Sequence, residues 1–144
     1  MNHFTEREQI IEIINKLFIY TDYRNWNKLQ EEVLTEHIYF DMSSLGNEAS
    51  DRTAKSICES WEEGFKDLDA INHLAGNFLV TINDDQADVF AYATATHFKN
   101  SATKGKTREF VGSYDLHLVN TSAGWRIDKF RYNLKYMNGN LELV

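Results

Sequence analysis

Asp22 is the residue in this sequence whose position most directly suggests chemistry. Phe18 and Ile14 precede it at helical spacing, so a helix through this segment would carry Asp22 on its apolar stripe. A carboxylate on a stripe that faces the core is costly unless another group pairs with it. Two interpretations stay open: either Asp22 meets a polar partner inside the protein, or the helix has ended and Asp22 is solvated or caps a second helix at Trp26.

Two histidines stand in segments that could supply such a partner. His73 lies between the apolar residues Ile71 and Leu74, where a helix gives way to a strand. A lone histidine in such a place is more often structural than functional. His97 closes a strand-like run that carries small residues at alternate positions on one face. Such a face leaves room for a ligand, but it fits close coverage by a helix equally well.

Aromatic side chains complete the candidate pocket. Tyr114 falls on the more apolar face of a predicted strand over residues 109–119, so we expect its phenol to point inward. A buried phenol needs a hydrogen-bond partner or offers one to a ligand. Phe18 and Trp61 lie on the apolar faces of two predicted helices, and we assign both, together with Tyr114, to substrate binding.

The other three histidines receive no role. His3 stands close to the first residue, and His37 begins a predicted strand. His117 shares the less apolar face of its strand with Asp115, and we expect both side chains to be solvated.

Metal ligation is a third possible use of the candidate residues. Asp22, His73 and His97 are two histidines and one carboxylate, which are the ligand types of a non-haem iron site. The sequence has no short ligand spacing such as HExxH. We therefore expect no metal and no organic cofactor.

The elements that must position these residues follow from the hydrophobic periodicity. Thr5 and Glu8 have the spacing of a capping box, and a helix follows through about Tyr23. Ser50 or Asp51 can cap a later helix. Helices first and an antiparallel meander afterwards predict an α+β fold, a strongly curved antiparallel sheet with three N-terminal helices packed in its concavity. The helices after the first cover residues 26–33 and 54–65, and the predicted strands cover 37–43, 78–82, 87–98, 109–119 and 125–136.

Composition limits the class of protein. The 144 residues, with no proline and seven glycines, show no linker, which predicts a single domain over residues 1–144. The net charge of -7 disfavours a nucleic-acid partner. No apolar run approaches the ~20 residues of a membrane span, and the polar start lacks a signal-peptide core. Cys58 is the single cysteine, so we expect no internal disulfide. Together these features predict a cytoplasmic protein that binds no membrane.

The order of the candidate segments resembles the SnoaL-like family of the nuclear-transport-factor-2-like (NTF2-like) superfamily. Helix 1 ends in YTDYRNW, NHLAGN precedes a strand, and ATATHF, GSYDLHL and AGWRIDKF follow in that order. The similarity covers roughly residues 10–137. It implies a cone-shaped fold around a pocket for a small molecule, in a family whose enzymes include scytalone dehydratase and lindane dehydrochlorinase.

The resemblance also implies roles for individual residues. In both enzymes an aspartate near the end of helix 1 works with histidines in the pocket, and Asp22 and His73 match these positions. His97 matches a second catalytic histidine of the dehydratase, and Tyr114 falls at or near one of its polar pocket positions. Thr21 stands where the dehydratase has a tyrosine, and the arginine of the dehydrochlorinase has no clear counterpart. The resemblance therefore implies the site and leaves the reaction open.

Two classes of function remain. In the first, an enzyme uses Asp22 to orient His73 as a base, while His97 and Tyr114 position or polarise a small oxygenated substrate. Dehydration, isomerisation, cyclisation and epoxide opening all fit. In the second, a non-catalytic module of the same fold binds a ligand or dimerises, and Asp22 and His73 form a structural pair. By analogy with the family, we expect a homodimer through the sheet.

Overall fold

In a computed structural model, which describes residues 3–144, three helices pack against a curved, open sheet of six strands. The order across the sheet is β2-β1-β6-β5-β4-β3, and only the β1–β6 pair is parallel among the pairings of the described residues. The predicted α+β cone is confirmed, with one parallel pairing added. The elements are α1 (Glu6–Asp22), α2 (Trp26–Lys28), β1 (Leu34–Asp41), β2 (Ser50–Thr53), α3 (Ala54–Phe65), β3 (Ala70–Asn83), β4 (Gln86–Phe98), β5 (Thr107–Thr121) and β6 (Gly124–Gly139).

The first helix begins and ends at residues that its sequence specifies. The Thr5 hydroxyl accepts the Glu8 N–H at 3.1 Å, and the Glu8 carboxylate accepts the Thr5 N–H at 2.8 Å, which completes the predicted capping box. Asp22 is the last helical residue, because Arg24 turns the chain with a φ of 56°. The Arg24 guanidinium donates to the carbonyls of Phe65 and Leu68 at 2.9 and 2.8 Å. These bonds tie the end of α1 to the end of α3.

The start of α3 differs from the prediction. Its N-cap is Thr53, whose hydroxyl accepts the Ser56 N–H, and neither Ser50 nor Asp51 caps the helix. The reason is that residues 50–53 pair with β1 as a short strand that the sequence pattern did not indicate. The second predicted helix has only three α-helical residues and continues as a π-helical turn over Leu29–Val33.

Strand β3 begins at Ala70, eight residues before the predicted start. Asn77 adopts a φ of 57°, and the pairing with β4 shifts register between Gly76 and Leu79. Such a bulge interrupts the alternation that identifies a strand in sequence. His73 therefore lies within a strand rather than at its approach.

The core lies between the helices and the inner face of the sheet. Helix α1 buries its predicted stripe there, from Ile10 and Ile14 to Leu17 and Phe18. The small residues of β4 also face inward, and that face ends in His97, which is only 7% exposed. No helix within residues 3–144 is long and apolar enough to cross a membrane.

Candidate active site

A cavity of about 610 Å³ lies between α1, α3 and the inner face of the sheet, and we call it the inner cavity. Exposed residues at the start of β2 and in the loop before it, including Asn47, Glu48 and Ser50, line it on the side that meets solvent. The predicted site residues other than Asp22 line its wall directly: Phe18, Trp61, His73, His97 and Tyr114. The sequence left open whether the alanine-rich face of β4 leaves room for a ligand or is covered by a helix. At the end of that face, Ala95 and His97 border the inner cavity.

Asp22 and His73 form a nearly enclosed pair. His73 Nδ1 lies 2.6 Å from Asp22 Oδ1, and the backbone N–H of His73 donates to Asp22 Oδ2 at 2.9 Å. Each side chain is 9% exposed. Asp22 thus faces inward, and both of its oxygens are engaged by one residue of β3. Because a carboxylate only accepts, Nδ1 carries the proton and Nε2 of the neutral ring carries the lone pair.

Aromatic rings hold the His73 imidazole in place. Phe18 stacks on it with ring centres 5.1 Å apart and planes inclined by 22°. Tyr114 packs edge-on against Phe18, also at 5.1 Å. Burial, with smaller contributions from Tyr132 and Asp22, raises the pKa of the Tyr114 phenol. The phenol is therefore a neutral hydrogen-bond donor at physiological pH.

Trp61 belongs to a second group of aromatic side chains in the inner cavity, which Phe130 connects to Tyr114 with ring centres 5.3 Å apart. Its ring lies 6.0 Å from that of Phe40 and 5.8 Å from that of Phe130. Phe40 and Phe130 stack on each other across the parallel β1–β6 pair, with ring centres 5.1 Å apart. The site therefore combines one hydrogen-bonded Asp–His pair with mostly apolar surroundings, a combination suited to a small and largely apolar ligand.

His97 is held differently from His73. The Nε–H of Arg108 donates to His97 Nδ1 at 3.0 Å, across the β4–β5 pair. Burial is the main reason that the pKa of His97 falls to about 3, and the charge of Arg108 and the proximity of His73 lower it further. His97 is thus neutral at physiological pH.

Tyr132 also lines the inner cavity and was missed by the sequence analysis. It pairs with Tyr114 across β5 and β6, and the two rings lie 4.9 Å apart. Its hydroxyl has no hydrogen-bond partner within residues 3–144, and burial raises its pKa. Gly112 leaves space for this hydroxyl, because a Cβ at that position would lie 2.7 Å from it. The β5–β6 pairing shifts register beside Gly112, so simple alternation could not have placed Tyr132.

We expect Tyr132→Phe to raise the free energy of unfolding by about 1 kcal/mol, because it removes a buried hydroxyl that makes no hydrogen bond. Urea denaturation at constant pH measures this change. Tyr136→Phe is the matched control, since Tyr136 lies on the same strand and is 56% exposed, and its stability should stay within about 0.5 kcal/mol of the native value. A less stable Tyr132→Phe protein would mean that the hydroxyl is satisfied after all.

Arg108 is the second residue that the sequence analysis missed. Phe98 pairs with Thr107 across the loop between β4 and β5, so Arg108 stands directly opposite His97. Pairing the two strands residue by residue outward from that loop would have placed Arg108 opposite His97, and this is the signal in the sequence that could have identified it.

The prediction for His117 is wrong in one respect. His117 lies on the outer face of the sheet, yet it is not free in solvent. Its Nδ1 lies 2.6 Å from Asp128 Oδ1, and its Nε2 lies 3.1 Å from Gln86 Oε1. The bulge between His117 and Leu118 accompanies this contact with β6. His117 and Asp128 thus have the same Nδ1–carboxylate distance as His73 and Asp22, but they lie away from the inner cavity.

The iron-site hypothesis receives no support from the geometry. Within residues 3–144, no group of three or more histidine, cysteine, aspartate or glutamate side chains is arranged to hold a metal ion. One nitrogen of His97 already accepts from an arginine, and both oxygens of Asp22 are bound by His73.

Family comparison agrees with the geometry. The family model of the SnoaL-like domain matches residues 2–131, which is most of the chain. The protein therefore belongs to the SnoaL-like domain family. No curated protein sequence matches the chain.

Solved structures share this fold over nearly the whole chain. Kfla4162 from Kribbella flavida is 25% identical with a TM-score of 0.91, over 96% of this chain and 95% of that one. A scytalone dehydratase candidate from Novosphingobium aromaticivorans is 13% identical with a TM-score of 0.80, over 92% and 86%. Hexachlorocyclohexane dehydrochlorinase from Novosphingobium barchaimii is 11% identical with a TM-score of 0.75, over 92% and 88%. The last two likenesses establish the fold.

Proposed function

We propose that this protein is a small-molecule enzyme that uses Asp22 and His73 as an acid/base dyad. The observation that carries the proposal is the 2.6 Å contact between His73 Nδ1 and Asp22 Oδ1 at the wall of the inner cavity. A carboxylate that holds one ring nitrogen as N–H leaves the other as a base and stabilises the imidazolium that forms. Likeness to a dehydrochlorinase and a dehydratase candidate supports the same class of chemistry.

The proposed step is removal of a proton from the carbon next to a carbonyl group. His73 Nε2 takes the proton, and the C–H electron pair moves toward the carbonyl oxygen to form an enolate. In a dehydration, the imidazolium returns its proton to a hydroxyl on the next carbon, which leaves as water while a C=C bond forms. Isomerisation and cyclisation can begin with the same proton removal, and epoxide opening would use the same nitrogen to activate water. A positioned base contributes about 10²–10⁴-fold in rate.

The surrounding residues define the substrate in general terms. Phe18 and Trp61 provide flat apolar surfaces of the cavity wall, and Tyr114 provides a protonated phenol. A cavity of about 610 Å³ can enclose a bicyclic molecule of modest size. We therefore propose small, largely apolar and oxygenated substrates. No step of the proposed reaction requires an organic cofactor or a metal.

Hydrogen–deuterium exchange of 1-tetralone tests the proposal without knowledge of the natural substrate. This bicyclic ketone carries exchangeable protons on C2, and NMR in D₂O measures their loss. We expect the native protein to accelerate the exchange at neutral pH and His73→Gln to lose the acceleration. His117→Gln is the matched control, because it removes a histidine with the same carboxylate distance on the outer face.

Two results would count against the enzyme. Equal acceleration by His73→Gln and the native protein would exclude His73 as the base. Binding of 1-tetralone without exchange in the native protein would instead favour the alternative, a ligand-binding module in which Asp22 and His73 form a structural pair.

We also infer that the protein forms a homodimer through the outer face of the sheet. Large apolar side chains are exposed on that face, among them Leu74 (74%) and Leu79 (68%). Leu79 lines a depression of about 850 Å³ whose other lining residues carry charges of both signs, so a second copy related by a two-fold axis can match them. We call it the outer depression; its lining includes Tyr39, Leu79, Asp88, Phe90, Lys129 and Arg131.

Leu79→Glu should weaken this dimer on the order of 30-fold, which corresponds to ~2 kcal/mol, because it places a charge in an apolar contact. Analytical ultracentrifugation over a concentration series measures the change. Ile19→Glu is the control, since Ile19 is 53% exposed on the first helix, away from the sheet. A native monomer at all concentrations would exclude the dimer.

A further inference from the structure

Arg108 determines which nitrogen of His97 carries the proton. The guanidinium Nε is only a donor, and it points its hydrogen at His97 Nδ1 from 3.0 Å. Nδ1 must therefore hold a lone pair, and the single proton of the neutral ring sits on Nε2. A proton on both nitrogens would direct two N–H groups at each other across the 3.0 Å contact.

The surroundings hold both members of this contact in one geometry. Phe65 packs edge-on against the His97 ring at 5.4 Å, and Phe110 lies 5.2 Å from it on the other strand. The Arg108 guanidinium lies 5.6 Å from the centre of the Phe110 ring. Its Nη1 also donates to the carbonyl of Leu141 at 2.9 Å, so the C-terminal segment fixes it from the far side.

The two histidines that line the inner cavity thus carry their protons on different nitrogens. His73 meets a carboxylate at Nδ1, so its Nε2 is an acceptor. His97 meets a guanidinium at Nδ1, so its Nε2–H is a donor. Neither Nε2 has a hydrogen-bond partner among the residues that the structure describes.

We propose that Arg108 is a positioning residue that fixes His97 as a neutral donor, and that the His97 Nε2–H binds a carbonyl oxygen of the ligand. A ketone oxygen only accepts hydrogen bonds, so it matches the Nε2–H donor of His97. An amine fits less well, because it carries N–H hydrogens of its own that His97 Nε2–H cannot accept. A ketone also enters an aromatic-walled cavity at lower desolvation cost than a carboxylate. The guanidinium behind the ring favours negative charge on the bound oxygen, as in an enolate. The role in catalysis rests on the proposed function, whereas the oxygen-binding site does not.

The ¹⁵N spectrum of the native protein tests the first part of the proposal without any variant. At neutral pH, His97 should show a pyridine-like Nδ1 and a pyrrole-like Nε2, and the neutral form of His73 should show the reverse. A pyrrole-like Nδ1 on His97 would overturn the proposal. Arg108→Met should abolish the single tautomer of His97, whereas Arg108→Lys, which keeps a cationic donor, should restore it at least in part. A merely structural role of Arg108 would leave the tautomer of a folded variant unchanged.

Binding of a matched pair of probes tests the second part. 1-Tetralone and tetralin share a bicyclic skeleton and differ in the carbonyl oxygen. We expect the native protein to bind 1-tetralone about tenfold more tightly than tetralin, and Arg108→Met to reduce that preference to about twofold. Arg126→Met is the control, because Arg126 bonds the backbone of Glu31 and Trp125, away from the inner cavity. Equal binding of both probes to the native protein would overturn the oxygen site.

His73→Gln separates this proposal from the proposed function. It should lose the exchange at C2 and keep the preference for 1-tetralone. If the native protein prefers 1-tetralone to tetralin but does not accelerate exchange, the oxygen-binding site is supported and the proposed enzymatic function is rejected. Exchange without a preference would reject the oxygen site and leave the base standing.

Discussion

Replacing Asp22 with asparagine should lower the rate of 1-tetralone exchange about 10³-fold, although the two side chains have nearly the same shape. The backbone N–H of His73 needs an acceptor, and Asp22 Oδ2 provides it at 2.9 Å. In the variant, the oxygen of the introduced amide will take that position, so the amide NH₂ will face His73 Nδ1. That nitrogen must then accept, which moves the ring proton to Nε2 and removes the base from the inner cavity.

The ¹⁵N spectrum of His73 measures this exchange of tautomers directly. Asp128→Asn is the matched control, because Asp128 pairs with His117 at the same distance on the outer face, and it should keep the native rate. A folded Asp22→Asn protein with the native tautomer and the native rate would show that Asp22 does not orient the base.

Acidification should destabilise the native protein more than the His97→Gln variant. The pKa of His97 is about 3 in the folded protein, whereas an unperturbed histidine in the unfolded chain has a pKa of 6.5. Between these values the unfolded chain binds a proton that the folded protein does not, so stability falls as the pH decreases from 6.5 toward 3. From about pH 6.5 to about pH 5 this one group should cost about 1.6 kcal/mol.

Urea denaturation of both proteins between about pH 7 and about pH 5 measures the difference. The glutamine cannot titrate but can still accept from Arg108, so the variant should lose the part of the pH dependence that belongs to His97. His37→Gln, at an exposed position, should keep the native dependence. If the free energy of unfolding changed with pH equally in the native protein and in His97→Gln, His97 would have the same pKa in the folded and unfolded states.

Much of the architecture could be predicted because local and global preferences agree. The capping box at Thr5 and the stripe through Ile14 and Phe18 specify the first helix, and the same stripe carries Asp22 toward the core. Alternation along β4 correctly places His97 on the inner face. Both patterns are periodicities within one segment of the sequence, so they can be recognised without knowing which segments pack against it.

The partners of these residues could not be predicted in the same way, because pairing across strands decides them. The bulge at Asn77 hides the first half of β3, where His73 lies. A second irregularity, beside Gly112, brings Tyr132 next to Tyr114. Each bulge shifts every later contact by one residue, so an error at one position changes which side chains meet. Arg108 lay outside the predicted strand, and its bond to His97 stayed hidden for that reason.

The engagement of both Asp22 oxygens by His73 has a stereochemical consequence for the proposed reaction. With the carboxylate occupied, His97 held neutral and the Tyr114 phenol a weak acid, His73 Nε2 is the group of the described site that can both take and return a proton. This nitrogen faces a bound substrate from one side. Proton removal and return are therefore suprafacial, and a single prochiral hydrogen of each methylene group exchanges.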